Sequence, residues 1–309
     1  MEPLVNRLAW SPSRARTFRE GCPRAYWFQY YGSWGGWERD ATPRQRDAWL
    51  QKKLTTRAAW IGTVVHGAAE RGLKAAMDGV TPEVDEARVW AHDVASRHIA
   101  LSESGAWTKV RGKKLGFREH YYDEPVPDGY FAEGLADIAR LVGALHEDRF
   151  YRRMLDAAHK IREVEVLRDF MVGDARVLVT LDVLMHDGLG GVVIVDWKTG
   201  ASHDDAEIAA QLGAYGLYAH LVIGVPEDRV KAMHVNLRTG QARTHVVGPE
   251  QIAAARLAIE QDTAAMRARL VDVGENVARE EDYPPLPEGS PACGWCVFRG
   301  VCGRVKERP

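Results

Sequence analysis

No run in the sequence approaches the roughly 18 consecutive apolar residues needed to span a membrane. The opening stretch, MEPLVNRLAWSPSRARTF, has no apolar core of the kind that directs secretion. Together these absences predict a cytoplasmic protein with no membrane partner. There is almost no net charge, since 41 Lys and Arg face 43 Asp and Glu. No global basic field advertises a nucleic-acid partner, and any basic surface has to be local. Internal repeats and disordered tracts are missing. Cysteine is scarce, four in 309 residues. What is present is ordinary for a globular chain: 46% hydrophobic residues, enough for a sizeable core, and a length that suits about two domains.

The chain turns on Arg176 to Gly200, RVLVTLDVLMHDGLGGVVIVDWKTG, where two β-type runs flank a turn cluster and each carries one aspartate among apolar neighbours. Asp182 and Asp196 each lie seven residues from Leu189. A hairpin centred there sets the carboxylates opposite one another, with Cβ atoms roughly 5 Å apart. Unscreened, the pair repels; a divalent cation between them turns the repulsion into binding, and carboxylate oxygens suit Mg²⁺ and Mn²⁺. Lys198, two residues past Asp196, shares its face of the strand roughly 7 Å further along. An ammonium there can orient a water or offset charge on a phosphate.

Around this hairpin the pattern is helices, then strands. A helix is expected to open at Ser11 with Pro12 in its first turn. The aromatic run Tyr26, Trp27, Phe28, Tyr30, Tyr31 reads as core rather than as a platform for unpaired bases. Pro43 to Met77 reads as helical, with His66 and Glu70 one turn apart. No second histidine stands four residues from His66, which excludes the zinc-protease pair. Residues 82–156 look mostly helical, broken at 102–130. That loop carries Lys109, Arg111, Lys113, Lys114 and Arg118 among Trp107, Phe117, Tyr121 and Tyr122. It is either a strand-gripping element, cations to backbone and rings to bases, or a solvated loop.

Strands are expected at Ile161–Met171, Val177–Met185, Val192–Lys198, Val230–Arg238 and Arg243–Val247, with a Thr239-Gly240 turn between the last two and a helix from about Asp204 to Val222. Glu163 and Glu165 are two apart and so expected on one face. They read as the solvent side of an edge strand, with approach to a metal as the competing reading. Gln211 and Tyr215 share a face of the later helix.

The cysteines are Cys22, Cys293, Cys296 and Cys302. Cys-x-x-Cys, five residues, then Cys is a ligand-like spacing, and a cytosolic location disfavours disulfides. Four thiolates can hold zinc or an iron-sulfur cluster, and spacing alone does not separate the two. Either group would join segments far apart in sequence and remove much unfolded-chain entropy. Pro284, Pro285, Pro287 and Pro291 lead stiffly into the site, and Arg299, Arg304, Lys306 and Arg308 make it basic.

An aspartate followed by Asp-x-Lys at the end of an apolar strand, Asp182 and Asp196-Trp197-Lys198, resembles the motif of the PD-(D/E)XK nuclease superfamily. Gly62-x-x-x-His66 before the sheet and Gln211-x-x-x-Tyr215 after it resemble the RecB-like branch. One cysteine before the core and three after it resemble that branch's iron-sulfur nucleases, including the AddB nuclease domain and CRISPR-associated and phage-encoded single-domain relatives. One departure is Val179, where the family often has glycine.

The resemblance implies an α/β fold: an αβββαβ core with a mixed central sheet, a helical insertion, and terminal segments joined by a metal cluster. The corresponding divisions are 1–42 with the first cysteine, 43–160 with the His66 helix and basic loop, 161–282 as nuclease core, and 283–309 as cluster segment. It further implies that His66, Asp182, Asp196 and the Trp197 carbonyl bind Mg²⁺ or Mn²⁺, that Lys198 acts on the attacking water or the charged transition state, and that Gln211 and Tyr215 support site and DNA. The four cysteines would hold a 4Fe-4S cluster, with zinc the weaker alternative. The activity implied is a DNase, an exonuclease on single strands or duplex ends, with recombination or CRISPR-adaptation proteins as partners. A DNA-end-binding accessory factor with vestigial cleavage is the alternative.

Overall fold

The computed structural model describes residues 4–110, 113–200 and 205–304, and the side chains within them except those of 205, 206 and 246. Helix α1 (Pro12–Glu20) opens as its sequence predicts, with the Ser11 hydroxyl accepting from the Arg14 amide at 3.2 Å. Helix α2 (Pro23–Trp27) runs into a wider turn over Phe28–Gly32. The stretch read as one helix from Pro43 is two, α3 (Pro43–Gln51) and α4 (Arg57–Met77), separated by the short strand β1 (Leu54–Thr55). Thr56 caps α4, its hydroxyl accepting from Ala59 at 3.3 Å. Then come α5 (Val84–Glu103), strand β2 (Gly116–Phe117) parallel to β1, α6 (Arg118–Tyr121), α7 (Tyr130–Glu147) and α8 (Arg149–Asp156).

The main sheet is β3 (Ile161–Val172), β4 (Ala175–His186), β5 (Val192–Lys198), β6 (Val230–Asn236) and β7 (Gln241–Val246), paired in that order. Only β5 and β6 are parallel, joined through helix α9 (Asp205–Tyr218); the other neighbours are antiparallel. This is the mixed α/β sheet expected, in the order helix, three strands, helix, strand. Strand β6 stops at Asn236, not Arg238, because the Asn236 side-chain oxygen accepts from the Arg238 and Thr239 amides and closes the turn. The chain ends with α10 (Pro249–Arg267) and α11 (Pro291–Trp295).

Each face of the sheet buries its own apolar cluster. On one face Val177, Leu181 and Ile194 pack with Leu212 of α9 and Ile252 of α10; on the other Val183 and Val195 pack with Val65 of α4 and Leu141 of α7. A sheet covered on both faces explains why β5 is apolar nearly throughout. Its two polar members, Asp196 and Lys198, are therefore expensive to place there and mark a site.

Two aromatic segments prove to be structural. Tyr26, Phe28 and Tyr31 are buried, Tyr26 stacking on Tyr283 at 5.9 Å and Phe28 on Phe298 at 5.7 Å. In the 102–130 loop, Trp107 and Phe117 are core residues. Arg118 is buried against Glu124 at 3.0 Å and its guanidinium lies over Trp295 at 4.7 Å, while Tyr122 donates to the Val297 carbonyl at 2.6 Å. The loop grips the C-terminal segment. Lys114 turns inward to the Thr108 and Val110 carbonyls, Lys109 and Lys113 remain exposed, and Arg111 lies outside the described residues.

Candidate active site

The β4–β5 turn is built by Asp187, whose carboxylate accepts from the Leu189 and Gly191 amides at 2.7 and 2.9 Å; Gly188 and Gly190 take the left-handed φ values the turn requires. The ladder pairs His186 with Val192 and Val183 with Val195, a register centred on Leu189. Asp182 and Asp196 fall at the next opposed position. There the strands part, and Asp182 Oδ2 accepts from the Trp197 amide at 2.8 Å.

Two linked groups of side chains meet at this point. In the first, Asp196, 1% exposed, receives Lys198 Nζ at 2.8 Å on Oδ2 and Gln211 Nε2 at 3.0 Å on Oδ1. Lys198 also donates to Gln211 Oε1 at 3.1 Å. Gln211 reaches Tyr215 Oη at 2.5 Å, and Tyr215 donates to the Thr180 carbonyl of β4 at 2.7 Å. Helix α9 thus ties both strands of the hairpin to one amide. Burial, and then the neighbouring Asp182 charge, push the Asp196 carboxyl up to about 7, with Lys198 holding it down.

In the second group, His66 Nδ1 lies 2.8 Å from Glu165 Oε1 and 3.5 Å from Asp182 Oδ1, and its Nε2 lies 3.1 Å from the Trp197 carbonyl. Helix α4 comes this close because Gly62 faces Thr199, whose hydroxyl would sit 3.2 Å from an added Cβ. Burial alone would lower the His66 pKa, but the Asp182 and Glu165 carboxylates override it and hold the imidazole well above its ordinary range. Without a metal, an imidazolium balances the two carboxylates. His66, Glu165 and Asp182 offer ligand atoms all within 4.8 Å of one another, the one such group among the described residues. A nitrogen and two carboxylates fit Mg²⁺ or Mn²⁺.

Glu165 is the residue that strand periodicity misplaces. Its φ is +52°, left-handed, in the middle of β3, and the register shifts just before it, between Ile161 and Glu163. The two glutamates consequently part company. Glu163 is buried toward α9, accepting from Tyr218 Oη at 2.6 Å and paired with Arg168 at 3.1 Å, whereas Glu165 reaches His66 on α4. Neither is a solvent-facing edge residue. Glu70, one turn beyond His66, faces outward and pairs with Lys74 at 2.5 Å.

The site opens to solvent through a groove of about 420 Å³ that runs past Ser11, Thr180, Lys198, Gln211 and Tyr215. Away from it, all four cysteines line one cavity of about 340 Å³ beside the stacked Phe28 and Phe298, each half-buried as a free thiol. Burial, with the three other thiols adding to it, pushes Cys296 up to about 11. Arg299 and Arg304 border this cavity, while Lys306 and Arg308 lie outside the described residues.

The sequence profile of the PD-(D/E)XK nuclease superfamily matches residues 9–303. The chain belongs to this superfamily. No curated protein matches it. A solved structure titled "Crystal structure of SSO0001" is 14% identical and covers 61% of this chain and 81% of its own, with a TM-score of 0.28, a likeness too slight to weigh on the fold. PD-(D/E)XK nucleases use divalent metals, and the His66, Glu165 and Asp182 triad is where this member has the donors for one.

Proposed function

We propose that this chain is a RecB-like, metal-dependent deoxyribonuclease, an exonuclease acting on single strands or duplex ends. The observation that carries the reading is the meeting of His66, Glu165 and Asp182 with Lys198, Asp196 and Gln211 at the parting of one hairpin. A divalent cation held by His66, Asp182 and Glu165, with Asp196 and the Trp197 carbonyl completing the set, would supply Lewis-acid activation of water and of the phosphodiester. The chain's own groups do the rest. Lys198, fixed between Asp196 and the Gln211 carbonyl, presents a positive charge and a proton donor at the groove, where charge develops as the phosphate is attacked. Tyr215 and Gln211 lock Asp196, so Lys198 is held in place before substrate arrives.

The four thiols around one cavity support a 4Fe-4S cluster. The resemblance to the iron-sulfur nucleases of the RecB-like branch favours that cluster over tetrahedral zinc.

Protein purified without oxygen should be brown, with about four irons per chain, and should degrade 5′- and 3′-labelled single strands in Mn²⁺. DNA-end binding without cleavage in Mg²⁺ or Mn²⁺ would favour an accessory factor instead. One zinc per colourless chain would remove the cluster.

A further inference from the structure

In a chain with a slight excess of acidic residues, many cations sit against carboxylates: Arg24 and Arg44 on Glu280, Arg118 and Arg299 on Glu124. The junction of α3 and β1 is different. Lys52 and Lys53 are half-buried, and neither ammonium has an ion pair or hydrogen bond among the described residues. Their ammonium groups rest near aromatic rings, Lys52 at 5.9 Å from Tyr30 and Lys53 at 5.9 Å from Trp49. Each ring is shared with a second cation, Arg14 at 4.1 Å over Tyr30 and Lys114 at 5.5 Å from Trp49. Among the described residues those two side chains bond only to neutral oxygens: Arg14 to Tyr26, Tyr31 and Ala9, Lys114 to Thr108 and Val110.

Four positive charges are thus gathered on two rings with no carboxylate paired to any of them among the described residues, a costly arrangement in a partly desolvated place unless an anion completes it. The strain registers on the lysines: burial, then Lys53 and Arg14, lower Lys52 to about 8, and burial with Lys114 lowers Lys53. The patch precedes α4, and from Arg57 to His66 that helix alone rises about 14 Å. It therefore lies outside the cleavage centre.

We propose that Lys52 and Lys53 form a phosphate-binding subsite that holds the uncut part of a DNA strand while its end is processed at Lys198. The proposal rests on the nuclease reading for the strand's identity. Two unpaired cations on consecutive residues suit the repeating charges of a phosphodiester backbone, and the flanking rings restrain the lysine stems without neutralising them.

The test pairs Lys52→Met/Lys53→Met with the charge-keeping Lys52→Arg/Lys53→Arg. Two probes are used: a fluorescein-labelled 20-mer oligothymidylate for anisotropy in Ca²⁺ across a salt series, and thymidine 5′-p-nitrophenyl phosphate, too small to reach the patch, for turnover in Mn²⁺. The methionine variant should bind the 20-mer about 10-fold more weakly and lose about 1.4 from the salt slope, the share of two single-strand phosphate contacts. Its turnover of the small ester should not change, its melting temperature should rise as the uncompensated charges go, and the arginine variant should bind like wild type. An unchanged salt slope in an enzyme that cuts DNA would overturn the subsite alone, as would an equal loss on the small ester. If wild type binds the 20-mer but cuts neither substrate, the nuclease reading fails and the slope still decides the subsite. A wild type that binds no DNA overturns both.

Discussion

Replacing Glu165 by alanine and, separately, by glycine isolates the backbone conformation from the lost carboxylate. Both changes remove the contact with His66 and the same metal donor, so those losses cancel between the variants. In an ordinary strand alanine is the more stable by about 0.5–1 kcal/mol, because glycine loses more freedom on folding. At φ +52° the order reverses, since a left-handed backbone costs a Cβ-bearing residue about 1–2 kcal/mol. Glu165→Gly should therefore exceed Glu165→Ala by roughly 0.5–1 kcal/mol in urea denaturation with EDTA. Adding Mn²⁺ provides the second readout. At 100 times its dissociation constant a ligand stabilises by about 2.7 kcal/mol, and a variant binding 100-fold more weakly retains only about 0.4 kcal/mol of this. Wild type should gain markedly, and both variants little. Alanine more stable than glycine would refute the left-handed backbone; full Mn²⁺ stabilisation of either variant would refute Glu165 as a donor.

The metal site should also bind protons competitively. His66 is held protonated by Asp182 and Glu165 against the pull of burial, and burial with Asp182 pushes Asp196 up to about 7, so both must deprotonate to serve a cation. Mn²⁺ affinity should accordingly rise from pH 6 to pH 8 with proton release in calorimetry, and a pH-independent affinity would count against this set. Lys198→Ala should cut the cleavage rate on the order of 10²-fold, as for loss of one oxyanion donor, with DNA affinity nearly unchanged and Mn²⁺ affinity at pH 8 retained or raised. A variant cleaving at the wild-type rate would remove Lys198 from the chemistry. Cys22→Ser should lower both iron content and thermal stability, because the C-terminal segment loses its tie to α2; an unchanged melting temperature would argue against that tie.

The hairpin and its opposed aspartates were legible because Asp187, Gly188, Gly190 and Gly191 punctuate the turn sharply and the apolar runs leave one register. The helix–strand order followed from periodicity for the same reason. Glu165 was not legible, since Arg-Glu-Val-Glu-Val alternates as a regular strand and a left-handed glutamate leaves no local mark. The break between α3 and α4 hid behind Lys52 to Thr56, which contains neither glycine nor proline. Arg118 misled differently: its partner Trp295 is remote in sequence, so composition shows only a cation near rings, not a cation already occupied.

The packing of Tyr26 on Tyr283 and Phe28 on Phe298 sets a timetable for the newborn chain. At roughly 5–20 residues per second, the ribosome takes about 13–50 s to deliver Tyr283 after Tyr26. For that interval one of the most aromatic stretches of the sequence has its local partners, Arg14 and Phe18, but lacks the rings that cover it, whatever the central sheet has done. This region, more than the central sheet, is where a chaperone would help, and a ribosome stalled before codon 283 would hold a chain whose sheet can form while its beginning stays adhesive.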